Sequence, residues 1–199
     1  MGRRMGCRDT WIAELPEQFR PFFVLGNAMI PTPWVFEGDV LYVRCADDYE
    51  SLSAKVRLGL TALLDRFDPP WIFKCDDDTW LNPWQFASIP FSEYDHTGYF
   101  IHGLETGFAS GAGYGLSRRA AEAAIMGLGK SPPSTPEDVM VSGIVAALPG
   151  ATRYHVKGFR PLSRENWKPS LLGHWIQNRN AMMTYHEKGR QHEFGGATP

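Results

Sequence analysis

Residues 40–78 constrain the chain more than any other stretch. Val40-Leu41-Tyr42-Val43 reads as a short buried strand. Over residues 49–67, Leu52, Val56, Leu60, Leu63, Leu64 and Phe67 recur at the spacing of one helix face. Asp47 or Asp48 can cap that helix, and Asp68-Pro69-Pro70 ends it, because proline lacks an amide hydrogen and its ring clashes with the preceding turn. Trp71-Ile72-Phe73 is a second buried strand, running through Lys74-Cys75 into Asp76-Asp77-Asp78. Strand, amphipathic helix and strand in succession define an α/β layered fold, with helices on a mainly parallel central sheet. Ligands of such sheets bind beyond the carboxyl ends of the strands, and the acidic triplet falls at such an end.

The remaining chain extends this alternation. Residues 22–25 form an apolar run that stops at Gly26-Asn27, and residues 99–103 form another. Residues 118–128 are alanine-rich and predict a helix. A Pro/Ser loop over 131–136 leads into a helix over 137–148, with Thr135 as N-cap and Pro136 at the first helical position. Beyond Gly150 the pattern weakens to loops, with residues 180–185 as a last strand. No internal repeat interrupts the reading of residues 1–199 as one domain.

Hydrophobic residues make up 43%, charged residues 21%, and the net charge is −2, so the chain carries no basic footprint for nucleic acid or an anionic membrane. No apolar run approaches the ~20 residues that span a bilayer, and the basic start lacks the apolar stretch of a signal peptide. As written, the expected location is the cytoplasm of a bacterial or viral system. Cys7, Cys45 and Cys75 are odd in number and not at zinc-ligand spacing, which predicts free thiols.

Three consecutive carboxylates raise one another's pKa unless a cation neutralises them. Such an oxygen-rich site suits Mn²⁺ or Mg²⁺, which keep open positions for phosphate oxygens. Along an extended chain Asp76 and Asp78 share a facing and Asp77 points the other way. The plain alternative is a solvated acidic turn, continued by Asn82-Pro83.

Five segments appear in one order: Arg8-Asp9-Thr10-Trp11; Asp48-Tyr49-Glu50-Ser51-Leu52-Ser53-Ala54-Lys55; Lys74-Cys75-Asp76-Asp77-Asp78; Ser110-Gly111-Ala112-Gly113-Tyr114; and Glu137-Asp138-Val139. Together they resemble the motifs of the β-1,3-galactosyltransferase and fringe family, glycosyltransferase family 31. The resemblance implies a GT-A fold with a mixed, mostly parallel central sheet, and Mn²⁺ dependence. It also implies inverting transfer of a hexose, galactose or N-acetylglucosamine, from a UDP-sugar to a hydroxyl of a glycan or glycoconjugate, in β-1,3 linkage. It casts Asp138 as general base, and Asp78 with His186 as metal ligands, His155 and His174 being competitors for the histidine. Asp76, Asp77, Arg8, Asp48, Lys55 and Lys74 become donor contacts. Gly111, Ala112, Gly113, Glu137 and Trp80 line the acceptor and sugar pocket, Trp84 being a further stacking candidate.

Asp138 also reads as an ordinary helix-start carboxylate, and the glycines as a tight turn. The first strand of the family's fold has no counterpart ahead of Arg8. That departure leaves open a non-catalytic sugar- or nucleotide-binding remnant, or a shortened eukaryotic chain from the Golgi lumen. Clustered carboxylates also suit a metal-dependent nucleotidyltransferase.

Overall fold

A computed structural model describes residues 2–102, 107–129, 135–159, 172–174 and 176–194. In chain order the elements are α1 (Gly2–Arg8), β1 (Phe23–Gly26), β2 (Trp34–Glu37), β3 (Val40–Val43), α2 (Leu52–Phe67), β4 (Trp71–Cys75), β5 (Trp80–Leu81), α3 (Pro83–Phe86), β6 (His96–Ile101), β7 (Phe108–Ser117), α4 (Arg118–Leu128), α5 (Glu137–Ala146), β8 (Arg153–His155), β9 (Leu172–Gly173) and α6 (Arg179–Phe194).

The unit β3-α2-β4 forms where the sequence pattern puts it. Asp48 Oδ1 accepts the Ser51 amide at 2.8 Å, which holds residues 48–51 in a turn and delays the start of α2. At its other end Asp68 is left-handed (φ 50°), with its amide on the Leu64 carbonyl. The helix α5 starts at Glu137 as expected, but Pro136, not Thr135, is the N-cap residue, and no side chain caps it. Gly103 and most of the 131–136 loop lie outside the described residues.

The sheets are mixed, and the expected mainly parallel sheet is not among the described residues. One sheet has the order β1-β3-β2, with β1 parallel and β2 antiparallel to β3. A second has the order β4-β7-β6-β8, where β7 is antiparallel to both of its neighbours and β8 is parallel to β6. A two-stranded ribbon pairs β5 with β9. The difference comes from residues 110–114, expected as a glycine-rich turn but folded inside the longest described strand, Phe108–Ser117. The connection from Ile101 to Phe108 is too short for a parallel crossover, which takes a dozen residues or more, so β7 must return antiparallel. The strands β1 and β4 each lie at the edge of their sheet, only half-buried along their lengths.

Residues 180–185, expected as a strand, belong to α6. Met182, His186 and Gly189 are its buried positions, a helical period of three and four. A Cβ on Gly6 would meet Met182 Cβ at 3.1 Å, so α1 and α6 are in close contact.

Helices α2, α4 and α5 cover one face of the β4-β7-β6-β8 sheet through Leu60, Ala120, Ala124, Val141 and Val145 against Phe100, Tyr114 and Leu116. The opposite face carries aromatic rings: Trp71 and Phe73 with Phe86, Phe91 and Phe159. Gly113 and Gly115 of β7 are the landing for these rings. A Cβ on Gly113 would lie 2.7 Å from Phe73 Cζ and Leu172 Cδ1, and one on Gly115 2.5 Å from Phe91 Cδ1. Their role is close packing, which explains glycine in a strand interior. All three cysteines are free, and burial pushes the Cys7 thiol up to about 12. Among the described residues no helix is long and apolar enough to cross a membrane.

Candidate active site

The triplet leaves the end of β4, and the β5–β9 ribbon brings its partner to it. Trp80 pairs with Gly173 in that ribbon, and the Ile176 amide donates to the Asp78 carbonyl at 2.9 Å. This register sets His174 beside the acidic side chains. Its Nε2 is 3.1 Å from Asp78 Oδ1 and 3.4 Å from Asp76 Oδ2. Ligand atoms of Asp76, Asp78 and His174 all lie within 4.8 Å of one another. Burial lowers the affinity of His174 for a proton, but its contacts with Asp76 and Asp78 outweigh that and raise its pKa to about 9. Burial likewise opposes ionisation of Asp76, yet His174 and Lys74 hold its carboxyl below the usual range. Asp78 Oδ1 is buried, and its close polar contact among the described residues is the His174 imidazole. Two carboxylates and an imidazole within 4.8 Å of one another form a donor set that fits Mn²⁺. A metal here would replace the proton on His174.

The same group is joined to Asp138. Lys74 Nζ donates to Asp76 Oδ1 at 2.7 Å and to the Gly111 carbonyl at 3.0 Å. The Gly111 amide donates to Asp138 Oδ2 at 2.9 Å. Asp138 Oδ1 accepts the Val139 amide at 2.9 Å, so both carboxylate oxygens are oriented. Glu137 is buried, accepts the Tyr114 hydroxyl and lies 3.5 Å from Lys74. Burial, partly offset by Lys74 and by the Tyr114 hydroxyl, raises the pKa of Glu137. A cavity of about 230 Å³ lies between the starts of α2 and α5, lined by Tyr49, Ser53 and Pro136 and, of these groups, by Glu137 alone. A larger hollow of about 560 Å³ lies by α6, bordered by Thr10 and His186, and none of Asp76, Asp78, His174 or Asp138 lines it.

Other expected site residues lie elsewhere. His186 is not the histidine at the carboxylates: its Nδ1 accepts from Trp80 Nε1 at 3.3 Å and its Nε2 meets Glu14 Oε1 at 3.1 Å. Both ring nitrogens are committed to anchoring α6. Trp80 is 1% exposed and cannot stack on a sugar; Trp84 stacks on His186 and donates to Glu14 Oε2 at 2.9 Å. Arg8 forms a two-pronged pair with Asp39, at 2.6 and 2.8 Å, beside the start of β3. That is the amino end of β1 and β3, opposite to where ligands of such strands bind. Arg3, overlooked in the sequence, reaches the triplet instead, 3.3 Å from Asp77 and 3.9 Å from Asp78. Lys55 pairs with Asp47 at 2.5 Å, and Asp47 also accepts the Gly26 amide at 3.0 Å. Asp48 is exposed and holds the Ser51 amide. Ala112 is fully buried, its carbonyl accepting from Thr79 Oγ1 at 2.9 Å. Gly113 faces the aromatic layer, whereas Gly111 faces Asp138, whose Oδ2 would be 3.2 Å from an added Cβ.

The architecture is similar to that of a glycosyltransferase involved in the glycosylation of the major capsid of PBCV-1, with a TM-score of 0.51 at 14% identity over 74% of this chain and 84% of that one. The fold is therefore one found among glycosyltransferases. The sequence profile of the galactosyltransferase family matches residues 2–107, more than half of the chain, and the protein belongs to that family. No curated protein matches the chain. The matched segment contains the triplet and Lys74; Asp138 and His174 come from beyond it.

Proposed function

We propose that the protein is a metal-dependent, inverting hexosyltransferase of GT-A type. It moves galactose or N-acetylglucosamine from a UDP-sugar to a hydroxyl of a glycan or glycoconjugate acceptor, in β-1,3 linkage. The observation that carries this reading is the tie between two sites: Asp76, Asp78 and His174 on one side and Asp138 on the other, joined through Lys74 and the Gly111 peptide. Asp78 and His174 would hold Mn²⁺, with Asp76 alongside, and the ion would offset the charge of the diphosphate as UDP leaves.

Asp138 takes the proton of the acceptor hydroxyl as its oxygen bonds to the anomeric carbon. The bond from that carbon to the diphosphate oxygen breaks on the opposite face, its electrons leave with UDP, and the configuration inverts. The amides of Gly111 and Val139 fix the carboxylate's orientation, so little reorganisation accompanies proton transfer. Because Lys74 occupies Asp76 Oδ1, that residue has one oxygen left for the cation or the sugar. Arg3 balances charge on the outer side of the triplet.

The test is release of UDP from UDP-galactose and UDP-N-acetylglucosamine with Mn²⁺, in the parent and in Asp78→Ala and Asp138→Asn. The parent is expected to turn over, and each variant to lose about 100-fold or more. Binding of UDP without turnover would identify a non-catalytic remnant instead. Preference for a nucleoside triphosphate would identify a nucleotidyltransferase.

A further inference from the structure

Lys74 does not have the surroundings of a ligand-binding lysine. An ammonium has three donors. Among the described residues Lys74 Nζ donates to Asp76 Oδ1 at 2.7 Å and to the Gly111 carbonyl at 3.0 Å, and forms an ion pair with Glu137 Oε2 at 3.5 Å. The Tyr114 ring lies under the same nitrogen, 5.6 Å from centroid to Nζ, and its hydroxyl donates to Glu137. Tyr114 is the cross-strand neighbour of Lys74, so the β4–β7 register itself sets this stack. Glu137 is 4% exposed, a burial that a carboxylate tolerates only when paired. Two of the three Lys74 donors are taken by hydrogen bonds, and the ammonium charge is met by Asp76 and Glu137.

Glu137 and Asp138 are adjacent in the first turn of α5, so whatever holds one places the other. We infer that Lys74 and Glu137 are positioning residues, whose buried ion pair fastens the first turn of α5 to the end of β4 and sets the spacing between Asp138 and the Asp76–Asp78 group. Gly111 is the second fastening. Its carbonyl is on Lys74 and its amide on Asp138, one on each side of the same Cα, so displacement of Lys74 shifts the residue whose amide orients the base. The inference rests on the reading of Asp138 as base, but its physical content, the fastening, does not need turnover to be measured.

The test is Lys74→Met combined with Glu137→Gln. This removes both members of the buried pair at once, Asp76 keeps its contact with His174, and the amide still accepts from Tyr114. The folded double variant is expected to keep its KM for the UDP-sugar within about threefold while kcat falls about 100-fold, the size of effect that a displacement near 1 Å produces. Hydrogen exchange at the Gly111 amide should speed up at least about tenfold, as expected when a local structure loosens. A folded double variant with parental kcat and parental exchange at Gly111 overturns the inference. Should the double variant fail to fold, Tyr114→Phe decides. It removes only the hydroxyl that steadies Glu137, and is expected to move kcat and Gly111 exchange in the same directions by smaller factors. No movement in either overturns the inference. If the parent itself transfers no sugar, the proposed function fails, and exchange at Gly111 still judges the fastening.

Discussion

His96 opens β6 with no exposed surface, and neither of its ring nitrogens has a hydrogen-bond partner among the described residues. Its ring stands edge-on to Phe100, at 5.0 Å, and to Tyr114, at 5.7 Å. Burial, helped by the charge of Arg153, lowers its pKa from 6.5 to about 3. Below pH 6.5 the unfolded chain takes up a proton that the folded chain refuses until about pH 3, so stability is present above 6.5 and lost as pH falls. Between pH 7 and pH 5 that amounts to about 2 kcal/mol. Replacing His96 with Phe removes the titration and keeps a ring in the aromatic cluster. Urea unfolding of both proteins at pH 5 and pH 7 measures the effect as a change in their difference. Other titrating groups cancel in the subtraction. That matters for His174, whose raised pKa has the opposite sign: in the metal-free protein its contribution is complete below pH 6.5 and fades as pH rises towards 9. A difference between the two proteins that stays the same at both pH values refutes the argument.

Gly113→Ala should destabilise the protein by about 1–3 kcal/mol in urea unfolding, since its Cβ meets Phe73 and Leu172 at 2.7 Å. Gly143→Ala, inside α5 with nothing within 4 Å of the added Cβ, should instead stabilise it by about 0.5–1 kcal/mol. His174→Ala should abolish the rise in melting temperature caused by Mn²⁺; His186→Ala should lower the melting temperature and leave the Mn²⁺-induced rise in place. Arg8→Met should leave UDP binding by calorimetry unchanged within about twofold while lowering stability by about 1 kcal/mol, as befits a half-exposed ion pair.

Residues 40–78 carried their own instructions. The helical period of α2, the Asp68-Pro69-Pro70 stop and the apolar run before the triplet are local, and local steric and burial rules suffice to read them. The carboxylates and the family were legible for the same reason, because each motif lies within a few consecutive residues. Residues 110–114 misled because glycine commonly marks turns, whereas here the missing side chain of Gly113 admits Phe73 and that of Gly115, further along the same strand, admits Phe91. Residues 180–185 misled because the buried positions of the whole helix, Met182, His186 and Gly189, declare a helical period only once α1 and Trp80 are known to lie against them.

The choice of histidine lay outside any local rule. His174 reaches Asp78 through a ribbon of two residues per strand, too short for a hydrophobic pattern, whose register is set by pairing Trp80 with the distant Gly173. The partners of Lys74 are likewise distant in the chain, at Gly111 and Glu137. Which carboxylates, amides and cations meet depends on strand register and on how α5 seats against β7. These are properties of distant segments in contact, which a one-dimensional pattern does not contain.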